Sequence, residues 1–326
     1  MQLLDILGGF LRTQALHTAA RLGLADIVGE EPVPVPELAA RVGADSSALH
    51  RLMRLLASAG IFSEPSPGVF VSTVLSDGLR TDTPGSVHYS AMLQGSDSYL
   101  AAGEMLESVR TGQPVAETVF GMPYFEHLAG DSERSDVFNR AMAAGAGARA
   151  ALALAYDWSD AAVVADIGGG NGSLLSAVLA AEAHLRGIVV DLPHVAAEAQ
   201  PVIEAAGLSD RCETFGGDFF ADVLPSADVY VLAQVLHDWD DEQAVAILRN
   251  CRRSIAEGGR LLVLEQVLLE GDEPSYAKLL DLLMLVLLGG KERTDAEWHV
   301  LLQQGGFELL GTTTGHLTSL IEAAPA

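Results

Sequence analysis

Leu3, Leu7, Phe10 and Leu11, broadened by Leu4 and Ile6, fall on one face of a helix at the start of the chain. Pro36-Glu-Leu-Ala-Ala-Arg-Val-Gly43 reads as a second helix ended by glycine. The stretch from Asp45 to Gly60 reads as a third, capped by Asp45 or Ser46. Ile61-Phe62, a Pro65/Pro67/Gly68 turn and Val69-Phe70-Val71 predict a β-wing, so the first 80 residues outline a winged helix. Residues 86–155 are Ala-rich and helical in pattern, interrupted by the apolar-aromatic Phe120-Gly-Met-Pro-Tyr-Phe125. From about Trp158 the pattern changes to alternating strand and helix, as a parallel α/β sheet requires. Predicted strands are 162–167, 187–191, 212–215, 227–234 and 259–267, with 307–315 and 318–323 closing the chain as an antiparallel hairpin.

This pattern predicts three regions: a winged-helix-like dimerisation domain at 1–85, a helical linker and substrate-pocket segment at 86–155, and a Rossmann-like catalytic domain at 156–326. With 49% hydrophobic and 19% charged residues, the 326-residue chain can bury a sizeable core. Lys and Arg number 19 against 44 Asp and Glu, a formal charge of −25, which disfavours nucleic acid or an anionic membrane as partner. Residues 1–80 carry six Arg against eight acidic residues, so the winged helix is expected to dimerise rather than hold DNA. The apolar face of the first helix has no obvious partner in a small domain, which points to a homodimer. Cys212 and Cys251 are too few for a disulfide framework or a four-cysteine zinc site. The most apolar stretch, 279–288, is broken by Asp281 and far short of the ~20 residues of a membrane span. These features, and a start without a basic, apolar leader, lead us to expect a cytoplasmic protein.

The chemistry concentrates at strand ends. Asp166-Ile-Gly168-Gly-Gly170-Asn-Gly172 follows the first predicted strand and precedes a helix, a turn where backbone N–H groups and a helix N-terminus can receive a ligand. The dinucleotide spacing Gly-x-Gly-x-x-Gly fails, because Ser173 stands at its last position. Without a ligand the same glycines would simply make a tight strand-to-helix turn. Asp191 ends the second strand, where a carboxylate can accept both hydroxyls of a ribose or can merely cap the next helix. After the third strand, Gly217-Asp218-Phe219 offers an acceptor for an adenine amino group and a ring to lie against it.

His237 follows the fourth strand in Val-Leu-His237-Asp238-Trp-Asp240-Asp241-Glu, placed to act as a general base. Asp240 or Asp241 reads as a helix cap. A cation held by His237, Asp238, Asp240 and Asp241 is the less favoured alternative, and no metal is expected.

Taken in order, the Asp-x-Gly-x-Gly-x-Gly loop, Val-Leu-His237-Asp-Trp-Asp-Asp-Glu, Gly-Gly-Arg-Leu-Leu-Val-Leu-Glu265 and Gly289-Gly-Lys-Glu292-Arg-Thr make the chain resemble the small-molecule O-methyltransferases. This is the family of plant caffeate-type and bacterial polyketide enzymes, and the likeness extends over nearly the whole chain. It implies an S-adenosylmethionine-binding α/β domain, S-adenosylhomocysteine as product, an aromatic small-molecule acceptor and no metal. It implies His237 as base flanked by Glu265 and Glu292, although Glu292 also precedes a Thr294-x-x-Glu297 capping pattern. Leu192 and Gln234 join Asp166, Gly168, Gly170, Gly172, Asp191, Gly217, Asp218 and Phe219 as cofactor contacts. The acceptor pocket is expected at Phe120, Phe125, Phe138, Asn139, Met142, Asp238, Met284 and Leu288. Two departures stand out: Ala233 replaces a frequent Lys, and Leu287-Leu288 replaces an Asn-Pro. Relatives of this kind that perform decarboxylation, hydroxylation or a pericyclic step leave non-methylating chemistry as the alternative.

Overall fold

A computed structural model describes residues 2–315 and 318–326. The chain forms two compact units, Met1–Gly103 with Phe125–Gly145, and Glu104–Tyr124 with Ala146–Ala326. Each chain reversal between them lies in the helical middle of the sequence.

In the first unit the expected N-terminal helix is two, Gln2–Leu7 and Gly9–Arg21, separated at Gly8. Their Leu3, Leu7, Phe10 and Leu11 are all exposed by half or more. Helix Val35–Val42 stops at Gly43 in the left-handed conformation, and helix Ser46–Ser58 starts at Asp45, whose carboxylate accepts from Ala48 N at 2.8 Å. The wing begins later than expected. Phe62 turns into the core with Leu24, Leu38, Met53 and Phe70, so pairing starts at Ser63, opposite Val71. A short strand, Val33–Pro34, adds to the other side of Val69–Val71 and was not expected from sequence, since proline is uncommon in strands.

The second unit carries a seven-stranded sheet. We label its strands β1 (Val163–Ile167), β2 (Arg186–Asp191), β3 (Cys212–Gly216), β4 (Val229–Ala233), β5 (Arg260–Glu265), β6 (Phe307–Thr314) and β7 (Ser319–Pro325). The order across the sheet is β3-β2-β1-β4-β5-β7-β6. Strands β1–β5 are parallel, and β7 runs antiparallel between β5 and β6, with Ser319 opposite Glu265 and Thr314. Helices cover both faces, so the inner strands are apolar without alternation. In β5, Leu261 and Val263 pack with Tyr230 and Trp298, while Leu262 and Leu264 pack with Trp158 and Leu175 on the opposite face. The reversal of strand order at β1/β4 opens a crevice at the carboxyl ends of the strands, where α/β sheets of this kind take ligands.

Candidate active site

The glycine turn is held by sterics and by its neighbours. Gly168 has φ +70° with amide bonded to Val190 O, and a Cβ there would lie 2.7 Å from a Val235 methyl. Gly172, at φ +71°, starts helix Ser173–Ala181. Asp191, at the end of β2, reaches across to this turn: Oδ2 accepts from Gly170 N at 2.9 Å and Oδ1 from Leu192 N at 2.7 Å. Burial pushes its carboxyl up, and the two amides pull it back. Gly217 N donates to Asp191 O, while Asp218 accepts from Phe220 N, and the Phe219 ring packs edge-on against Phe220 and Trp239.

Asp166 is the anomaly of this loop. Its carboxylate is 2% exposed, and neither oxygen has a hydrogen-bond partner among the described residues. Burial, reinforced by the charge of Asp191, pushes it up to about 7, against the pull of Arg149. A buried carboxylate of this kind calls for a donor or cation from outside the chain. Gln234, at the end of β4, is the one non-glycine residue at positive φ (+55°) among those described, and its side chain accepts from Arg149. Arg149 escaped the sequence reading because a lone arginine in the Ala-rich helix Ala146–Leu154 gives no signal. All ten expected cofactor contacts thus lie at the carboxyl ends of β1 to β4.

The histidine follows in a single 3₁₀ turn, Leu236–Asp238, directly beyond β4. His237 Nδ1 lies 2.7 Å from Glu292 Oε1 and 3.8 Å from Glu265 Oε2, and Nε2 lies 3.3 Å from Asp238 Oδ1. Glu265 ends β5, is fully buried, and accepts from Val235 N and Leu236 N through Oε1. Glu292 is held through its own amide, which donates to Asp281 Oδ1 at 2.9 Å. Asp281 lies eleven residues away in sequence, so only the fold reveals its part. Burial by itself would lower the basicity of His237, but Glu265, Asp238 and Glu292 overcome it and raise the ring to about 10. Glu265 and Asp238, raised first by burial, reach about 7 and about 6.

Donor atoms of His237, Glu265 and Glu292 all lie within 4.8 Å of one another, a set that could hold a cation. The 2.7 Å His237–Glu292 separation is nevertheless a charge-assisted hydrogen bond, shorter than the roughly 3.3 Å between two ligands on one tetrahedral ion. Of the acids of the 238–241 segment, Asp238 reaches His237, while Asp240 and Asp241 turn to other partners. Asp240 caps the next helix through Gln243 N, and Asp241 pairs with Lys291 and Arg293. The Thr294/Glu297 capping box is present as well, and it leaves the buried Glu292 free for the histidine.

The expected acceptor-pocket residues divide between the units. In the second, Met284 is buried on helix Tyr276–Leu287, Leu288 and Asp238 are half-buried, and Phe120 packs against Tyr124. Val115 N, from the segment that includes Phe120, donates to Val286 O on that same helix. In the first unit Phe125 and Phe138 meet edge-to-face at 6.3 Å, and Asn139 and Met142 share helix Ser132–Ala144 with Phe138.

A glycine turn, a strand-end acid and a carboxylate-buttressed histidine on one sheet edge are the features of a nucleotide-binding α/β enzyme. The sequence matches the O-methyltransferase domain over residues 103–308 and the O-methyltransferase dimerisation domain over residues 4–82. A phenazine O-methyltransferase of Lysobacter antibioticus is 46% identical, covering 99% of this chain and 95% of that protein. The crystal structure of LaPhzM superimposes with a TM-score of 0.93 at 45% identity, over 99% of this chain and 98% of the other. The O-methyltransferase NcsB1 of neocarzinostatin biosynthesis, solved with S-adenosyl-L-homocysteine and 1,4-dihydroxy-2-naphthoic acid, is 36% identical with a TM-score of 0.83, over 97% and 96% of the two chains. The chain belongs to the O-methyltransferase family, whose enzymes use S-adenosylmethionine.

Proposed function

We propose that this enzyme methylates a phenolic hydroxyl of a small aromatic natural product, with His237 as the proton acceptor. The observation that carries the reading is the His237–Glu292 hydrogen bond, buried beside a crevice whose edge carries the glycine turn.

The crevice fits the cofactor. Gly170 leaves open space beside a helix N-terminus, while Gly168 and Gly172 let the turn pack closely on Val235 and Val189; Asp191 offers carboxylate oxygens at the rim, and the unpartnered Asp166 supplies the negative charge that a cationic group would satisfy. Leu192, Gly217, Asp218, Phe219 and Gln234 complete the set that would hold it. When bound, S-adenosylmethionine supplies a methyl group on a positively charged sulfur.

The chain's own residues prepare the acceptor oxygen. Glu292 holds Nδ1–H of His237 and fixes the tautomer, so Nε2 faces the acceptor, as in other carboxylate–histidine pairs. Asp238 Oδ1 lies 3.3 Å from Nε2 of the protonated ring, and once that nitrogen has given its proton to solvent its lone pair accepts the proton of the acceptor hydroxyl. The ring, raised to about 10, then matches a phenol of pKa ~10, and moving the proton between them costs little free energy. Glu265, fixed by two backbone amides, stabilises the imidazolium without moving. Within the second unit, Phe120, Met284 and Leu288 line the acceptor side of the crevice in this reading, and the replacement of a frequent Asn-Pro by Leu287-Leu288 makes that lining more apolar. The reading also makes the enzyme a homodimer, and places it in the cytoplasm, in keeping with Cys212 and Cys251, both free and buried.

The test is product mass. The purified enzyme is incubated with methyl-labelled S-adenosylmethionine and a panel of hydroxylated phenazines, naphthoates and aminobenzoates. Label retained in a product heavier by one methylene unit is expected. A gain of oxygen or a loss of carbon dioxide without label would replace methyl transfer with the alternative chemistry.

A further inference from the structure

Arg293 is fully buried and stands next to Glu292 in the chain. Its guanidinium spreads over four partners: Nη1 donates to Leu236 O at 2.8 Å and more weakly to Lys291 O at 3.4 Å, Nη2 to Trp239 O at 3.0 Å, and Nε to Asp241 Oδ1 at 3.0 Å. The Trp298 ring lies beneath the charge, 5.4 Å from it. Leu236 and Trp239 bracket His237 and Asp238, so the side chain grips the histidine turn from both sides. The Arg293 backbone makes a second junction, because its carbonyl accepts from Leu268 N at 2.9 Å and it bridges Val267, two residues beyond Glu265. One residue therefore joins the three segments that carry His237, Glu265 and Glu292. Nearby Gly290 adds a close approach, since a Cβ there would overlap the His237 carbonyl oxygen.

Burying a guanidinium is costly unless every donor is used, and here the planar fork spans three carbonyls and a carboxylate that a single ammonium could not reach together. Asp241 is itself more than half exposed, so the contact does more than neutralise a buried charge.

We propose that Arg293 is the positioning residue of this active site, setting the register between His237 and its two carboxylates without touching acceptor or cofactor. The proposal rests on His237 being the proton acceptor, and its test separates the two ideas. Full-length dimeric wild type, Arg293→Met and Arg293→Lys are labelled at histidine, and the His237 ring signal is identified by its absence in His237→Ala. Loss of the Glu292 contact in Arg293→Met should move the His237 titration midpoint down by about one unit or more, the scale of one hydrogen bond to a charged group. Binding of S-adenosylhomocysteine, read by calorimetry, should stay within about threefold, because the Arg293 side chain makes no hydrogen bond to the glycine turn among the described residues. On the phenol found by product mass, kcat should fall roughly 10- to 100-fold at unchanged KM, the cost of a small misplacement. Arg293→Lys should recover only part of each loss. An unshifted His237 midpoint in Arg293→Met would overturn the proposal. If the Met variant does not fold, Arg293→Lys and Asp241→Asn carry the test, and unshifted midpoints in both would overturn it equally. A wild type without methyl transfer would count against the proposed function, while the midpoint comparison would still decide the role of Arg293.

Discussion

Replacing His237 is the most informative perturbation, because the structure specifies what its loss leaves behind. The ring is the only cationic partner within ion-pair distance of Asp238, Glu265 and Glu292 among the described residues. Removing a general base of this kind lowers kcat by roughly 10²–10⁴-fold, which is about 2.7–5.4 kcal/mol of transition-state stabilisation. His237→Gln, which keeps more of the side-chain volume than alanine, is the better variant. Folding raises the proton affinity of the ring, so its contribution to stability is complete below about 6.5 and is lost as pH climbs through about 10. Glu265, raised from 4.5 to about 7, acts in the same direction at lower pH: its burial disfavours the folded state increasingly as pH rises through 7. The stability difference between wild type and His237→Gln should therefore be widest near pH 6 and narrow toward pH 10. The rate is measured on the identified acceptor at saturating S-adenosylmethionine, with dimer state checked by light scattering. A variant as fast as wild type would refute the proton-transfer role, and a thermal-stability difference independent of pH would refute the electrostatic account of the cluster.

Four further outcomes are expected. Asp191→Ala should weaken S-adenosylhomocysteine by about 1–3 kcal/mol in calorimetry, through lost charge-assisted bonds and a loosened glycine turn; unchanged affinity would remove Asp191 from the site. For wild type, log kcat/KM should rise with pH from 6 to 9 with a slope of about one, because resting His237 is protonated and the productive complex carries one proton fewer; a flat profile would contradict the raised basicity. Gly290→Ala should lower stability by about 1–3 kcal/mol and depress kcat, since the new methyl must push the His237 carbonyl away; full activity would show that the two loops part easily. Light scattering at micromolar concentration should give twice the 34.2 kDa chain mass, and a monomer would contradict the role assigned to the exposed N-terminal face.

Much of this protein was legible in its sequence, for physical reasons that are local. Parallel strands buried on both faces must be continuous apolar runs, so β1 to β5 could be located within a residue or two. The turn at Gly168–Gly172 needs left-handed backbone, which glycine marks, and the ends of β2 and β5 are marked by the acids Asp191 and Glu265 themselves. His237 was visible as a lone imidazole at a strand end, and Thr294-x-x-Glu297 as a helix start. Other features had no local signature. The first helix breaks at Gly8, and the wing starts at Ser63 because Phe62 is taken by the core.

Tertiary structure alone decided how the charges are shared. Asp281, Arg293 and Arg149 matter through partners 11, 54 and 85 positions away in the chain, beyond any periodicity a sequence displays. The basicity of His237 likewise comes from three carboxylates on three segments, gathered in a site dry enough for each to count. Sequence names the groups that can exchange a proton. Which of them face one another, and how far water is excluded between them, exists only once β4, β5 and the loop before Thr294 are packed side by side.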